Sequence, residues 1–134
     1  MSDHAAVLFI NQAFYHAFAT RDVAAMELVW SEKAAISCIH PGWLALSGRE
    51  AVMRSWAGIL SNPESPKITC RQPMAYVHGD TAYVICYELV EGSFLAATNV
   101  FVREAPTWRM VHHQAGVSPR PPVEEVDLPP PTLQ

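Results

Sequence analysis

The sequence predicts an α+β fold, with helices first and an antiparallel sheet after them. Up to Leu60 the apolar residues recur at three- and four-residue steps, the period of a helix face. From Lys67 onward they alternate, the period of a half-buried strand. Composition adds a third observation. Of 134 residues, 50% are hydrophobic and 16% charged, which suits one domain with one real core.

The elements follow in order. Asp3 is a candidate cap for a first helix, in which Val7, Ile10, Phe14 and Phe18 share one face. Asp22 can cap a second, short helix with Val23, Met26, Val29 and Trp30 inward. "AAISCIH" reads as a short strand. Ser47 and Glu50 stand in the capping-box relation and mark a third helix carrying Val52, Trp56, Ile59 and Leu60. The prolines of "SNPESP" end it. "KITCRQPMAYV" and "TAYVICYELV" are strands joined by a turn at His78-Gly79-Asp80. "SFLAATNVFVRE" follows the turn Glu91-Gly92, and "TWRMVHHQAG" follows Ala105-Pro106. The last stretch, "SPRPPVEEVDLPPPTLQ", holds six of the eleven prolines and cannot be helix or central strand. The expected division is a domain over residues 1–119 and a Pro-rich extended tail over 120–134.

The net charge is −4 and no basic stripe occurs, which argues against nucleic acid and anionic membranes as partners. The N-terminus lacks the pattern of a secretory signal, and no apolar run is long enough to span a bilayer. Cys38, Cys70 and Cys86 form an odd set without Cys-x-x-Cys spacing. Free thiols in a reducing cytoplasm are the expectation.

The order of elements resembles the NTF2-like superfamily, in its SnoaL-like and ketosteroid-isomerase-like branch. The matching segments are "FYHAFATRDVAAMELVWSEKAAI", "GREAVMRSW" and "WRMVHHQAG". The resemblance implies three helices closing one side of a strongly curved sheet, an apolar conical pocket, and a homodimer through the outer sheet face. In isomerase members a carboxylate base ends the first strand. That position falls at Cys38 here, and no Asp or Glu lies between Lys33 and Ser47. The oxyanion-binding Tyr of the family falls at Phe14, next to Tyr15. Its second donor falls at Asn99, whose amide can still donate.

If the family's register holds, Ile36, Cys38 and His40 share the pocket face, because side chains alternate along a strand. His40 then stands nearest to the missing base, with a pKa suited to proton transfer. The opposing reading is that His40 bonds a neighbouring backbone group. Cys38 has no nearby positive charge to ionise it and reads as a pocket-wall residue. Trp43 reads as a pocket lip and Trp56 as a core or wall residue. Tyr15 lies beside the buried stripe of the first helix. His112 and His113 point to opposite faces of the last strand, and His112 is taken as the ligand-facing one. His40, His112 and Cys38 lack recognisable metal-ligand spacing, so neither a metal nor a cofactor is expected. Arg49 sits in the first turn of a helix, where the dipole disfavours a cation; it reads either as pairing with Glu50, Glu32 or a ligand anion, or as a solvated surface charge. Tyr76, Tyr83 and Tyr87 are assigned to the outer sheet face.

Two function classes remain. One is a non-catalytic domain binding a small apolar or aromatic metabolite. The other is an isomerase, cyclase or dehydratase with His40 as base and Asn99 and Tyr15 as oxyanion donors. The tail from Val123 to Leu133 is expected to lie across the sheet or a neighbouring subunit.

Overall fold

The structure, a computed structural model, describes residues 1–122. The expected docking of Val123 to Leu133 therefore lies outside the described residues. Helix α1 spans Asp3–Ala19, α2 Val23–Val29 and α3 Arg49–Ser61. Strands β1 (Ser37–Ile39) and β2 (Leu46–Ser47) are short, and β3 (Ile68–His78), β4 (Thr81–Val90), β5 (Ser93–Glu104) and β6 (Thr107–Val117) are long.

Six strands form one curved sheet in the order β2-β1-β6-β5-β4-β3. The meander β3 to β6 is antiparallel throughout, and β1 joins β6 in parallel. Register shifts interrupt β3 between Arg71 and Met74, and the β5–β6 pair at Val100/Phe101. Such bulges bend a strand and increase its twist, and so help wrap the sheet around the helices. The Glu91-Gly92 turn places both residues at positive φ, 50° and 82°. That backbone matches the twist of the strands it joins.

The helices cover the concave face. Val7, Ile10, Phe14 and Phe18 of α1, Met26 and Val29 of α2, and Val52, Trp56 and Leu60 of α3 are all buried. Trp30 leaves α2 and bridges to Met110 on β6. From the sheet, Val84, Phe101, Trp108 and Met110 close the core. The Arg103 guanidinium donates to both Asp3 carboxylate oxygens at 2.8 Å, tying the start of α1 to β5.

Three local expectations need correction. The first helix is capped by Ser2, whose hydroxyl accepts from Ala5 N, and Asp3 is already helical. The Ser47–Glu50 capping box does not form. Ser47 belongs to β2, Gly48 caps α3 at φ 87°, and Glu50 pairs with Arg54 at 2.8 Å. The first strand is shorter than "AAISCIH", and β2 was not foreseen because two residues carry no period. Asp22 caps α2 through Ala25 N.

Arg49 settles its unfavourable position by reaching back to the end of α2. It donates to the carbonyls of Glu27, Trp30 and Ser31 at 2.9, 3.2 and 3.1 Å, with Glu32 at 3.9 Å. The Glu27 carbonyl is one that the last turn of α2 leaves without an intrahelical partner, and the other two follow the helix end directly. Arg49→Ala should lower stability by about 2 kcal/mol, read by urea unfolding. A loss below about 0.5 kcal/mol would make Arg49 an ordinary surface charge.

The outer sheet face carries a stacked Tyr76–Tyr83 pair, with ring centroids 4.9 Å apart, and exposed Met74 and Ile85. No helix among the described residues is long and apolar enough to cross a membrane.

Candidate functional site

Strand parity decides which side chains reach the concave face. Along β1 and the residues flanking it, Ile36, Cys38 and His40 are buried while Ser37 and Ile39 are half-buried. On β4, Ala82, Val84, Cys86 and Glu88 are buried at alternate positions. Glu88 is a carboxylate on an otherwise apolar inward row. On β6, Trp108 and Met110 face inward. The bulge at Val100/Phe101 then shifts parity, so that His113 and Ala115 follow them. Without that shift His112 would share the face of Met110. Instead the His112 ring meets the Ser37 hydroxyl at 2.7 Å on the other side. His112 is therefore not a pocket residue, and His113 is.

A cavity of about 290 Å³ opens between the helices and the sheet. Phe14, Phe18, Trp43 and Trp56 supply aromatic walls, and Ile59, Ile68, Val90 and Leu95 aliphatic ones. Its polar lining includes His40, Glu88 and His113. Trp43 is 49% exposed and forms the rim. The His40 ring lies edge-on between Trp43 and Trp56, at 4.8 and 4.7 Å between centroids. Cys38 is fully buried below His40, with its thiol 3.7 Å from Nε2. It does not line the cavity.

Hydrogen-bond roles can be assigned along each chain of contacts. The Ser55 hydroxyl donates its single proton to Val52 O at 2.7 Å. It must therefore accept from His40 Nε2 at 2.9 Å. That assignment makes Nδ1 the accepting nitrogen of His40, with the Cys38 thiol 3.9 Å from it. Burial pushes the His40 imidazole down to about 4, so it is neutral at ordinary pH.

The second chain of contacts begins at Asn99, which is fully buried on β5. Its amide nitrogen donates to Asn11 Oδ1 at 2.8 Å and to the Tyr15 hydroxyl at 3.1 Å. Its oxygen accepts from His113 Nδ1 at 2.5 Å. The Tyr15 hydroxyl donates in turn to Glu88 Oε2 at 2.7 Å. Tyr15 and Asn99 thus lie behind the cavity wall with their donors engaged. They hold Glu88 and His113, and neither is a free oxyanion donor.

Sheet register explains how Glu88 and His113 meet. His113 pairs with Asn99, Ala115 with Ala97, and Ala97 with Cys86; Leu95 pairs with Glu88. The two alanines leave room between the rows. Across that gap His113 Nε2 comes within 3.9 Å of Glu88 Oε2. Burial pushes the Glu88 carboxyl up to about 7, against the Tyr15 hydrogen bond, which pulls it down. Burial also pushes the His113 imidazole down to about 3, helped by the charges of His40 and His112. A carboxyl that is half-protonated near neutrality, beside neutral imidazoles, is a proton-handling group.

Sequence reasoning missed Glu88, Asn11 and Ser55, and took His112 rather than His113 as the inward histidine of the last strand. Glu88 left a signal, because it occupies the inward parity of "TAYVICYELV" where the neighbouring alternate residues are Val84 and Cys86. The His112-His113 pair showed that one ring faces inward but not which, because a bulge is invisible to periodicity. Among the described residues no group of three His, Cys, Asp or Glu side chains is placed to hold a metal ion.

Three helices against one curved, open sheet make this an NTF2-like protein of the cystatin-like fold. The SnoaL-like domain model matches residues 7–119, and the chain belongs to that family. It is similar to a candidate dehydratase of the NTF2-like family from Streptomyces avermitilis. The two share 33% identity over 87% of this chain and 96% of that one, with a TM-score of 0.79. It is also similar to a candidate calcium/calmodulin-dependent protein kinase type II association domain from Thiobacillus denitrificans. There the identity is 30% over 81% of this chain and 92% of that one, with a TM-score of 0.73. An uncharacterised protein with a cystatin-like fold from Caulobacter vibrioides shares the fold. It has 13% identity over 85% of this chain and 88% of that one, and a TM-score of 0.76. No curated protein matches the chain.

Proposed function

We propose that this protein binds a small apolar or aromatic hydroxy compound in the cavity and eliminates water from it by acid–base catalysis. One observation carries the reading. The buried Glu88 carboxyl, pushed up to about 7, lines the same cavity as the neutral His40 imidazole. His40 Nδ1 would take a proton from carbon, and protonated Glu88 would give its proton to the departing hydroxyl. A carbon–carbon double bond forms as water leaves. His113 stays neutral beside Glu88; an imidazolium there would ionise the acid. The aromatic walls suit a flat ligand, and 290 Å³ suits a small one. The similarity to the Streptomyces avermitilis candidate dehydratase supports this class of reaction.

The pH dependence tests these roles. His40 must be neutral and Glu88 protonated, so kcat/KM should fall below about 4 and above about 7. His40→Ala should cost about 10²–10⁴-fold in turnover. A panel of hydroxy carbonyl compounds, followed by loss of water in mass spectra, provides the assay. A rate that rises through pH 7 would reverse the role of Glu88.

A second reading, assembly, is favoured by the Thiobacillus denitrificans likeness and by the exposed Met74, Tyr76 and Ile85 of the outer sheet face. A homodimer through that face is compatible with catalysis, since the cavity opens on the opposite side of the sheet. Ile85→Arg should convert a dimer to a monomer in light scattering, and an unchanged mass would remove this face from the interface. We assign residues 1–119 to the ligand-binding domain. Its three free cysteines fit the reducing cytoplasm.

A further inference from the structure

We propose that Cys70 and Cys86 are a redox-active thiol pair that closes to an intramolecular disulfide when a hydroperoxide oxidises it. The proposal does not depend on the function assigned to the cavity. Cys70 on β3 lies opposite Glu88 on β4, and Cys86 stands two residues before Glu88. Residues two apart on a strand share a face, so Cys70 and Cys86 are diagonal neighbours on the concave side. The β3 bulge between Arg71 and Met74 falls directly beside them.

Both thiols touch one buried polar cluster. Asn11 Nδ2 donates to Cys70 Sγ at 3.8 Å, and Asn11 Oδ1 accepts from Asn99 Nδ2 at 2.8 Å. Asn99 Nδ2 lies 3.9 Å from Cys86 Sγ, and the Tyr15 hydroxyl 3.1 Å from it. Each thiol also acts on the proton affinity of the other. The neighbouring Cys86 lowers the Cys70 pKa and Cys70 raises that of Cys86, so Cys70 ionises first. Cys70 is also the half-buried member, while Cys86 is fully buried. Cys38, also buried, has its thiol pushed up to about 12 by desolvation and then by the Glu88 charge. The pair therefore has a nucleophilic partner that a small peroxide can reach and a resolving partner behind it.

The step balances. The Cys70 thiolate attacks one peroxide oxygen and the O–O bond breaks. Cys70 becomes a sulfenic acid, and the departing hydroxide takes up a proton to form water. Cys86 sulfur then attacks Cys70 sulfur, the S–O bond breaks, and the Cys86 proton leaves with the hydroxyl as a second water. Two thiols and one hydrogen peroxide give one disulfide and two waters. Bridging removes the Cys86 thiol from its contact with the Tyr15 hydroxyl, the group that holds Glu88.

The test uses the purified full chain and hydrogen peroxide. The expected product has lost two hydrogen atoms by intact mass and retains one free thiol after denaturation. Peptide mapping should show Cys70 linked to Cys86, and dithiothreitol should reverse the change. Cys38→Ser should form the same bridge. Cys86→Ser should instead trap one oxygen on Cys70, captured by a sulfenic-acid probe. Oxygen added to the wild type without a cross-link, a bridge that includes Cys38, a bridge between molecules, or no reaction would each overturn the proposal.

Discussion

Replacing Phe14 by Ala should destabilise the protein by about 3–5 kcal/mol. Phe14 has no exposed surface. Its ring meets Tyr15 at 4.8 Å, Trp56 at 5.3 Å, Trp30 at 6.5 Å and His113 at 5.0 Å between centroids. It therefore joins α1 to α3, to the segment after α2 and to β6. Removing the ring forfeits its transfer free energy and leaves a hole between rigid aromatic neighbours that cannot collapse into it. Phe14 also lines the 290 Å³ cavity, so the hole would merge with a space that already exists. Tm should fall by more than about 10 °C, whereas Phe14→Leu should cost less than half as much. A loss below about 1 kcal/mol for the Ala variant would show that this ring is not the centre of the core.

Replacing Glu88 by Gln should raise stability by about 3 kcal/mol at pH 8 and change little at pH 4. The Glu88 carboxyl is raised from 4.5 to about 7 in the folded protein. Between those values the native state holds a proton that the unfolded chain has released. Stability from this group is therefore fully present below 4.5 and is lost as pH rises through about 7. Gln stays neutral at every pH and still offers Tyr15 an acceptor, so the loss disappears. His40 and His113 act in the opposite direction. Their values fall from 6.5 to about 4 and about 3. Their contribution is present above 6.5 and is lost as pH falls through those lower values. Together the three groups place the wild-type stability maximum near pH 6.5, and the Gln variant should keep its stability above that point. Urea unfolding at three pH values reads the result. An equal effect of the substitution at pH 4 and pH 8 would mean that Glu88 is not held protonated by burial. If the proposed elimination is right, the more stable variant is also the inactive one, because a buried ionisable group costs stability where function requires it.

The helix faces were legible because a 3.6-residue period records burial directly. Val7, Phe14, Trp30, Val52 and Trp56 needed no tertiary information to be placed in the core. The long strands and their turns were legible for the same reason, with period two and Gly79, Gly92 or Pro106 at the corners. The inward direction of Cys38 and His40 followed from alternation once a register was assumed. Helix starts were less legible. Ser2 and Asp3 are both good caps, and only the backbone at Ser2 decides between them. Ser47 and Glu50 matched a capping pattern, but strand pairing claimed Ser47 for β2 and left Gly48 as the cap.

The sequence by itself determined the α+β order, the apolar stripes, the missing carboxylate after the first strand and the family resemblance, because each rests on residues close together along the chain. Only the tertiary structure decided which polar groups meet. Asn11, Tyr15, Glu88, Asn99 and His113 come from four different elements, up to 88 residues apart within one hydrogen bond. A bulge in the β5–β6 pair turned His113 rather than His112 inward, and burial then moved the Glu88 carboxyl to about 7. Proton affinity is set by what surrounds a group in space, and the linear order of residues does not carry that.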